Sequence, residues 1–310
     1  MSCQNNQTSR SDFILLDLFL GTQAPWIPFT FTVLALLVTL FGNTTIIILI
    51  RADSRLQSPM YFLLSQLSII DFLCISTFVP YTALAFLSGN NHISFIGCGV
   101  QLFLFTTLVG AECLLLAAMA YDCYVAICHP LGYPIFMRPL ICMLMVVGPW
   151  LRGLLNALIH VVYTLTLPYC ISREIYHFFC DIPALLKLVC VDTSQYEKGL
   201  FVSGVIFLLP PMSAIMASYG KILSIILRAG SSMNLRKTLA TCSSHMTVVS
   251  VFYGTAIIKY LRPKSYHSPE QDVLVSVFYT ILTPVLNPLI YSLRNKDVAR
   301  ALRKVLKNRE

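Results

Sequence analysis

The sequence predicts an all-α membrane protein, a seven-transmembrane helix bundle with a short C-terminal interfacial helix. Three observations carry this reading. The chain has 310 residues, of which 56% are hydrophobic and only 12% charged, against roughly 45–50% and 25% in an ordinary soluble domain; it has too little polar surface to cover a globule. Its seven apolar segments are each long enough to cross about 30 Å of hydrocarbon at about 1.5 Å per residue. Lys and Arg fall unevenly between the connections, as expected where one side of a membrane retains positive charge.

The first 24 residues are polar and then weakly apolar, broken by Asp12 and Asp17 and preceded by no basic stretch, so they read as an extracellular N-terminus rather than a cleaved signal peptide. Asn6-Gln7-Thr8 is a glycosylation sequon; Asn43-Thr44-Thr45 matches the same pattern inside an apolar span, where glycosylation cannot reach. The bundle occupies residues 25–293, with spans at Pro25–Ile50, Met60–Leu87, Gly97–Ile127, Leu140–Leu165, Leu200–Leu227, Thr238–Leu261 and Val273–Leu293. Residues 294–310 form the tail, in which Val298, Leu302 and Val305 or Leu306 share one face among basic residues over Lys296–Lys307. That pattern suits a helix lying in the interface, with a disordered basic tail as the alternative. No Gly/Ser linker, low-complexity tract or internal period divides the chain.

With the N-terminus outside, the inner segments hold 14 Lys and Arg residues and the outer segments seven. The positive-inside rule therefore places the C-terminus in the cytosol, and the formal charge of +8 reads as topology and lipid contact, not nucleic-acid binding. Arg152 lies within the fourth span, where it should pair inside the bundle or snorkel. Cys98 at the outer mouth of the third span and Cys170, Cys180 and Cys190 in the long outer loop predict two disulfides in an oxidising space, in any of three pairings. The other thiols, Cys113, Cys123 and Cys242 among them, are expected to be reduced, and no tight ligand spacing marks a soft-metal site.

Asn43, Asp71, Glu112 and Asn287 fall at similar depths, roughly 10–17 Å above the inner helix ends by residue count. Two carboxylates in such a layer should share a proton or hold a cation, unless the polar groups only hydrogen-bond helices together. Pro80, Pro149, Pro210, Pro211, Pro284 and Pro288 mark bends. Above the layer, Phe105, Thr106, Val109, Gly110, Ser203, Phe207, Ile257, Tyr260 and Thr280 offer a mostly apolar lining for a small, weakly polar ligand.

The motifs Gly42-Asn43, LQSPMYF from Leu56, LSIID ending at Asp71, MAYDCYVAICHPLGY from Met119, HFFCD from His177, Ser218-Tyr219, TCSSH from Thr241, FYG from Phe252 and PVLNPLIYSLRN from Pro284 occur in this order on the predicted spans. In them the chain resembles the odorant receptors of the rhodopsin-like G-protein-coupled class over nearly its whole length. The resemblance implies the pairings Cys98–Cys180 and Cys170–Cys190, glycosylation at Asn6, no cofactor beyond a sodium-type site near Asp71 and Glu112, and a small volatile odorant in the outer bundle. It implies coupling to the olfactory stimulatory heterotrimeric G protein, with a rise in cyclic AMP, at the plasma membrane. It adds Tyr253 to the ligand-binding set as a switch aromatic between pocket and inner half. Asp122, Cys123, Tyr124, Tyr219, His245 and Tyr291 become the G-protein-coupling and switch positions, of which Tyr219, His245 and Tyr291 rearrange when the sixth helix swings outward.

Two departures stand out. Gln57 and Ser58 replace the family's His-Thr, and Cys123 replaces the arginine that would pair with Asp122 at rest and meet the G protein when released. The expectation is a weakened inner lock or poor coupling, unless Arg138 or a basic residue of the third inner loop substitutes. An enzyme is disfavoured by the absence of HExxH, GxSxG and P-loop motifs, and a transporter by the lack of repeat symmetry. A seven-helix receptor for an endogenous small molecule is the alternative that shares both fold and mechanism.

Overall fold

The computed structural model describes residues 12–16, 26–229, 233–260, 269–294 and 296–307. Seven long helical units form the bundle: α1 (Trp26–Ala52), α2 (Pro59–Ser88), α3 (Phe95–Cys128), α5 (Pro139–Thr166), α7 (Ser194–Ala229), α8 (Met233–Tyr260) and a seventh unit in three parts. That unit runs from α9 (Pro269–Val277) through a π-helical turn (Phe278–Leu282) into α10 (Thr283–Arg294). Short helices α4 (Tyr133–Phe136) and α6 (Ile182–Leu186) lie in the connections, and α11 (Lys296–Lys307) follows the bundle. Among the described residues, six of the long helices are apolar enough over a sufficient length to cross a membrane. The remaining one, α8, is 28 residues long and opens on Met233-Asn234-Leu235-Arg236-Lys237, which dilutes its apolar character.

Local sequence sets the helix ends. Ser94 caps α3 by accepting from the Gly97 N–H at 3.0 Å, a side chain replacing a carbonyl for an orphan donor. Proline stands in the first turn of both α2 and α5, where its missing N–H costs nothing. Gly89, at φ 66°, ends α2 in the left-handed conformation that glycine alone adopts without strain. Helix α3 lies at the centre, touching α2, α5, α7 and α8. Its crossing with α5 requires Gly153: a Cβ there would sit 2.5 Å from the Thr107 carbonyl oxygen and 3.1 Å from the Ala111 nitrogen. Small residues at such crossings let membrane helices approach backbone to backbone.

The end of the bundle that carries the N-terminal strand, labelled outer, departs from a purely helical expectation. Strand β1 (Phe13–Leu15) lies between β2 (His92–Ile93), antiparallel, and β3 (Glu174–Ile175), parallel. The N-terminal segment is therefore not a simple tail: Phe13 and Leu15 are buried in an apolar cluster with Ile93, Cys98, Ile175 and Cys180, and the Phe13 ring packs edge-on against Tyr169. At the other end α11 buries Val298 and Ala301 against the main core. The segment 296–307 is thus helical rather than an extended basic tail; the side chains of Val305 and Leu306 lie outside the described residues.

Candidate ligand-binding site

A cavity of about 590 Å³ opens in the outer half between α3, α5, α7, α8 and the loop carrying α6. Phe105, Thr106, Val109 and Gly110 line it from α3, and Ser203 and Phe207 from α7. Three other predicted lining residues do not border it. On α8 the facing residues are Phe252, Ala256 and Lys259, spaced four and three apart on one helical stripe, which turns Tyr253 and Ile257 aside. Thr280 is fully buried and donates to the Ser276 carbonyl at 2.7 Å; its neighbour Tyr279 takes the place at the wall. The Tyr260 side chain and Asn6 lie outside the described residues.

Tyr253 instead bonds to a lining residue, Cys113. Its hydroxyl donates to the Cys113 carbonyl at 2.8 Å and lies 3.2 Å from the Cys113 sulfur, whose thiol donates to the Phe207 carbonyl at 2.8 Å. Three helices, α3, α7 and α8, thus meet at one hydrogen-bonded node directly under the lining residues Phe207 and Phe252. Arg152 stays on the outer face of α5 with its guanidinium 4.9 Å from the Phe207 ring centroid. It stacks on an aromatic face rather than finding a carboxylate, at a depth where a bare charge would be costly.

The polar end of the cavity holds groups that sequence reasoning counted only as outer-loop charge or passed over. Lys259 Nζ lies 3.0 Å from Asp181 Oδ2, with both side chains under a tenth exposed, and it donates to Ser276 Oγ at 3.2 Å. The same hydroxyl is 3.0 Å from His177 Nε2. The ammonium also faces the Phe105 and Phe179 rings at 5.5 and 5.4 Å. Burial alone would raise the Asp181 carboxyl, but the adjacent Lys259 charge and His177 outweigh it and hold the group below its ordinary value. His177 is pushed down to about 4, chiefly by burial. The usable signal was the HFFCD motif, whose aspartate needs a cation, and a lysine closing an apolar run rather than standing beyond it. Asn156, which accepts from Ser203 Oγ at 2.9 Å, and His160 also line the cavity, as do the charged residues Lys187, Glu197 and Asp272.

The cavity is roofed by covalent and polar ties. Cys98 is joined to Cys180 and Cys170 to Cys190. Gln101 adds a second anchor for the loop on α3: its Oε1 accepts from the Cys180 N–H at 2.8 Å and its Nε2 donates to the Thr77 carbonyl at 3.3 Å.

Below the floor, the four layer residues are all buried. Asn287 Nδ2 donates to both Asp71 oxygens at 3.0 and 2.9 Å, and Asn43 Nδ2 donates to the Thr39 carbonyl at 3.0 Å. Glu112 Oε1, Asn43 Oδ1 and Asn287 Oδ1 are buried oxygens without a partner among the described residues. Two buried carboxylates lie within electrostatic reach of each other, and buried carboxylate and amide oxygens are the donor type that hard cations take. Among the described residues no group of three or more His, Cys, Asp and Glu side chains meets in a metal-binding cluster.

At the inner end Asp122 accepts from the Tyr133 hydroxyl of α4 at 2.7 Å. Its partner is therefore a neutral phenol, not Arg138. Cys123 turns into an apolar cluster with Ile222 of α7 and Cys242 of α8. Tyr124 Oη lies 3.1 Å from His129 Nε2. Tyr219 Oη is 2.5 Å from His245 Nδ1, and donates to the Cys242 carbonyl at 3.5 Å. The Tyr291 hydroxyl is buried with no partner among the described residues.

A family model described as olfactory receptor matches residues 31–309. This chain belongs to the olfactory receptor family. Human olfactory receptor 2AJ1 is 53% identical to it over 303 residues, covering 98% of this chain and 92% of that protein. Mouse olfactory receptor 2V1 is 52% identical over 301 residues, 97% and 96% of the two chains. The protein is thus a multi-pass, G-protein-coupled odorant receptor and not an enzyme. Neither an endogenous-ligand receptor nor a weakly coupled one is favoured by these relatives.

Proposed function

We propose that this receptor sits in the plasma membrane with its N-terminus outside, binds small, weakly polar volatile molecules in the outer cavity, and raises cyclic AMP through the olfactory stimulatory G protein. The cavity carries the reading: about 590 Å³ suits a small ligand, and aromatic and aliphatic side chains are joined by polar and charged ones, among them Lys259, Asp181, Ser203 and Asn156. The excess of Lys and Arg on the inner connections supports the orientation. A ligand resting on Phe207 and Phe252 presses on the Cys113–Tyr253 node. An odorant that binds the rearranged node better by a few kcal/mol shifts the population towards the coupling state. Asp71 and Glu112, with the orphaned oxygens of Asn43 and Asn287 nearby, would hold a sodium ion, whose charge offsets the two carboxylates.

A cyclic AMP assay of the full chain against a broad odorant panel tests the proposal. At least one small volatile should elicit a response, and Val109→Trp, which narrows the cavity, should weaken it at least tenfold with surface expression retained. Silence across the panel despite surface expression, or an undiminished response in Val109→Trp, overturns it.

A further inference from the structure

The cavity wall carries a buried ion pair whose chemistry restricts what can sit against it. Lys259 Nζ and Asp181 Oδ2 are 3.0 Å apart, with side chains 8% and 9% exposed, and both residues border the cavity. They also border a second, smaller recess of about 50 Å³, shared with His177 and Ser276, which has room for a few water molecules. The pair thus stands between a polar recess and the ligand space. Its ammonium donates to Ser276 Oγ, a recess residue, at 3.2 Å, and faces the ring of Phe105, a cavity residue, at 5.5 Å. The other lysine on the cavity wall, Lys187, is exposed to water, where a hydrogen bond contributes less.

We propose that Lys259 makes this receptor selective for neutral odorants that carry a carbonyl oxygen, such as ketones, aldehydes and esters, with Asp181 as the positioning residue that holds the ammonium in place. The charges of the pair sum to zero. A carboxylate or amine ligand therefore brings a further charge into a low-dielectric space, where it must break the pair or stand unpaired. An ammonium only donates hydrogen bonds, and a bond from a charged donor is stronger than one between neutral groups, so a neutral acceptor is the matching ligand group. A hydrocarbon placed there strips water from the ammonium and returns no hydrogen bond, the circumstance in which a polar site discriminates most sharply. Phe105, Val109, Phe207 and Phe252 supply the apolar wall for the remainder of such a ligand. The selectivity rests on the odorant cavity proposed above and names the ligand class for it.

The test titrates the solubilised full chain with straight-chain methyl ketones of increasing length and reads affinity from the rise in unfolding temperature. Each ketone is paired with the alkene in which a methylene group replaces the oxygen, and with the carboxylate and amine of the same length. The best ketone should bind at least tenfold more tightly than its alkene, carboxylate and amine counterparts. Lys259→Met combined with Asp181→Leu replaces the pair by apolar side chains, a change that buried pairs tolerate, and should reduce the ketone-to-alkene preference to less than threefold. Lys259→Arg, which keeps a charged donor against Asp181, should retain the preference, so that a loss confined to the apolar variant is the loss of the donor. No rise with any ketone, an alkene or ionic counterpart bound as tightly as the ketone in the wild type, or an undiminished preference in the apolar variant overturns the proposal. Because binding is read without signalling, the expected order in a receptor that raises no cyclic AMP supports the selectivity and removes the signalling reading. Equal cyclic AMP responses to ketone and alkene do the reverse.

Discussion

The two ends of this bundle handle buried charge in opposite ways. At the outer end Asp181 meets a full cation, Lys259, within 3.0 Å, and the loop bearing it is tied to α3 through Cys98–Cys180 and through Gln101. At the inner end Asp122 meets a neutral hydroxyl at 2.7 Å, and the residue beside it is a buried thiol. A charge pair in low dielectric is costly to break once made, whereas a single hydrogen bond from a phenol contributes about 1 kcal/mol net. The outer end is therefore built to hold its shape around a ligand. The inner end is held by apolar packing and single hydrogen bonds, which exchange partners cheaply when helices move.

Breaking the outer pair gives the largest expected effect. Lys259→Met leaves the Asp181 carboxylate buried and unpaired, a loss of about 3–5 kcal/mol for a pair of this kind. Surface expression and thermal unfolding of the solubilised receptor should both drop sharply. Combining Lys259→Met with Asp181→Asn removes the orphaned charge and should recover most of the loss. A single variant as stable as the wild type would show that the two ends do not differ in this way.

Proton uptake at His177 sharpens the same contrast with a smaller effect. Its folded value is about 4, against an ordinary 6.5, because burial disfavours the imidazolium, with Lys259 and Lys187 acting in the same sense and Asp181 and Asp272 opposing. The unfolded chain therefore binds more protons between those values, so stability is fully present above pH 6.5 and falls as pH drops towards 4. By pH 5 the loss should be about 2 kcal/mol, seen as a lower unfolding midpoint than at pH 7. His177→Gln should flatten that slope; an unchanged slope would place the proton elsewhere.

The seven spans were legible because apolar length is a property of the chain alone, and α3 in particular begins and ends within two residues of its predicted bounds. Phe105, Thr106, Val109 and Gly110 could be placed on the cavity wall from helix position and depth. What the sequence concealed was rotation about the helix axis. A shift of one residue turns a side chain by about 100°, enough to send Tyr253 and Ile257 past the wall that Phe252 and Ala256 form. Contacts between distant segments were equally hidden: nothing in the spacing of Phe13, Ile93 and Ile175 announces a three-stranded sheet, and Lys259 and Asp181 are 78 residues apart in the chain yet form the buried pair.

The smallest expected effect lies at the inner end, where the comparison makes its most specific demand. Tyr133→Phe removes the donor from Asp122, a carboxylate only 1% exposed, while leaving the ring's packing in place. An unmet buried acceptor should destabilise whichever arrangement relied on that hydrogen bond, by about 1 kcal/mol. If Asp122–Tyr133 belongs to the resting arrangement, that loss appears as about a fivefold rise in the ratio of coupling to resting populations. Basal cyclic AMP should then increase with little change in surface expression. If it belongs to the coupling arrangement instead, basal signalling falls by a similar factor. An unchanged basal level would mean that both arrangements keep the hydrogen bond, and that the inner end owes its mobility to the Cys123 cluster alone.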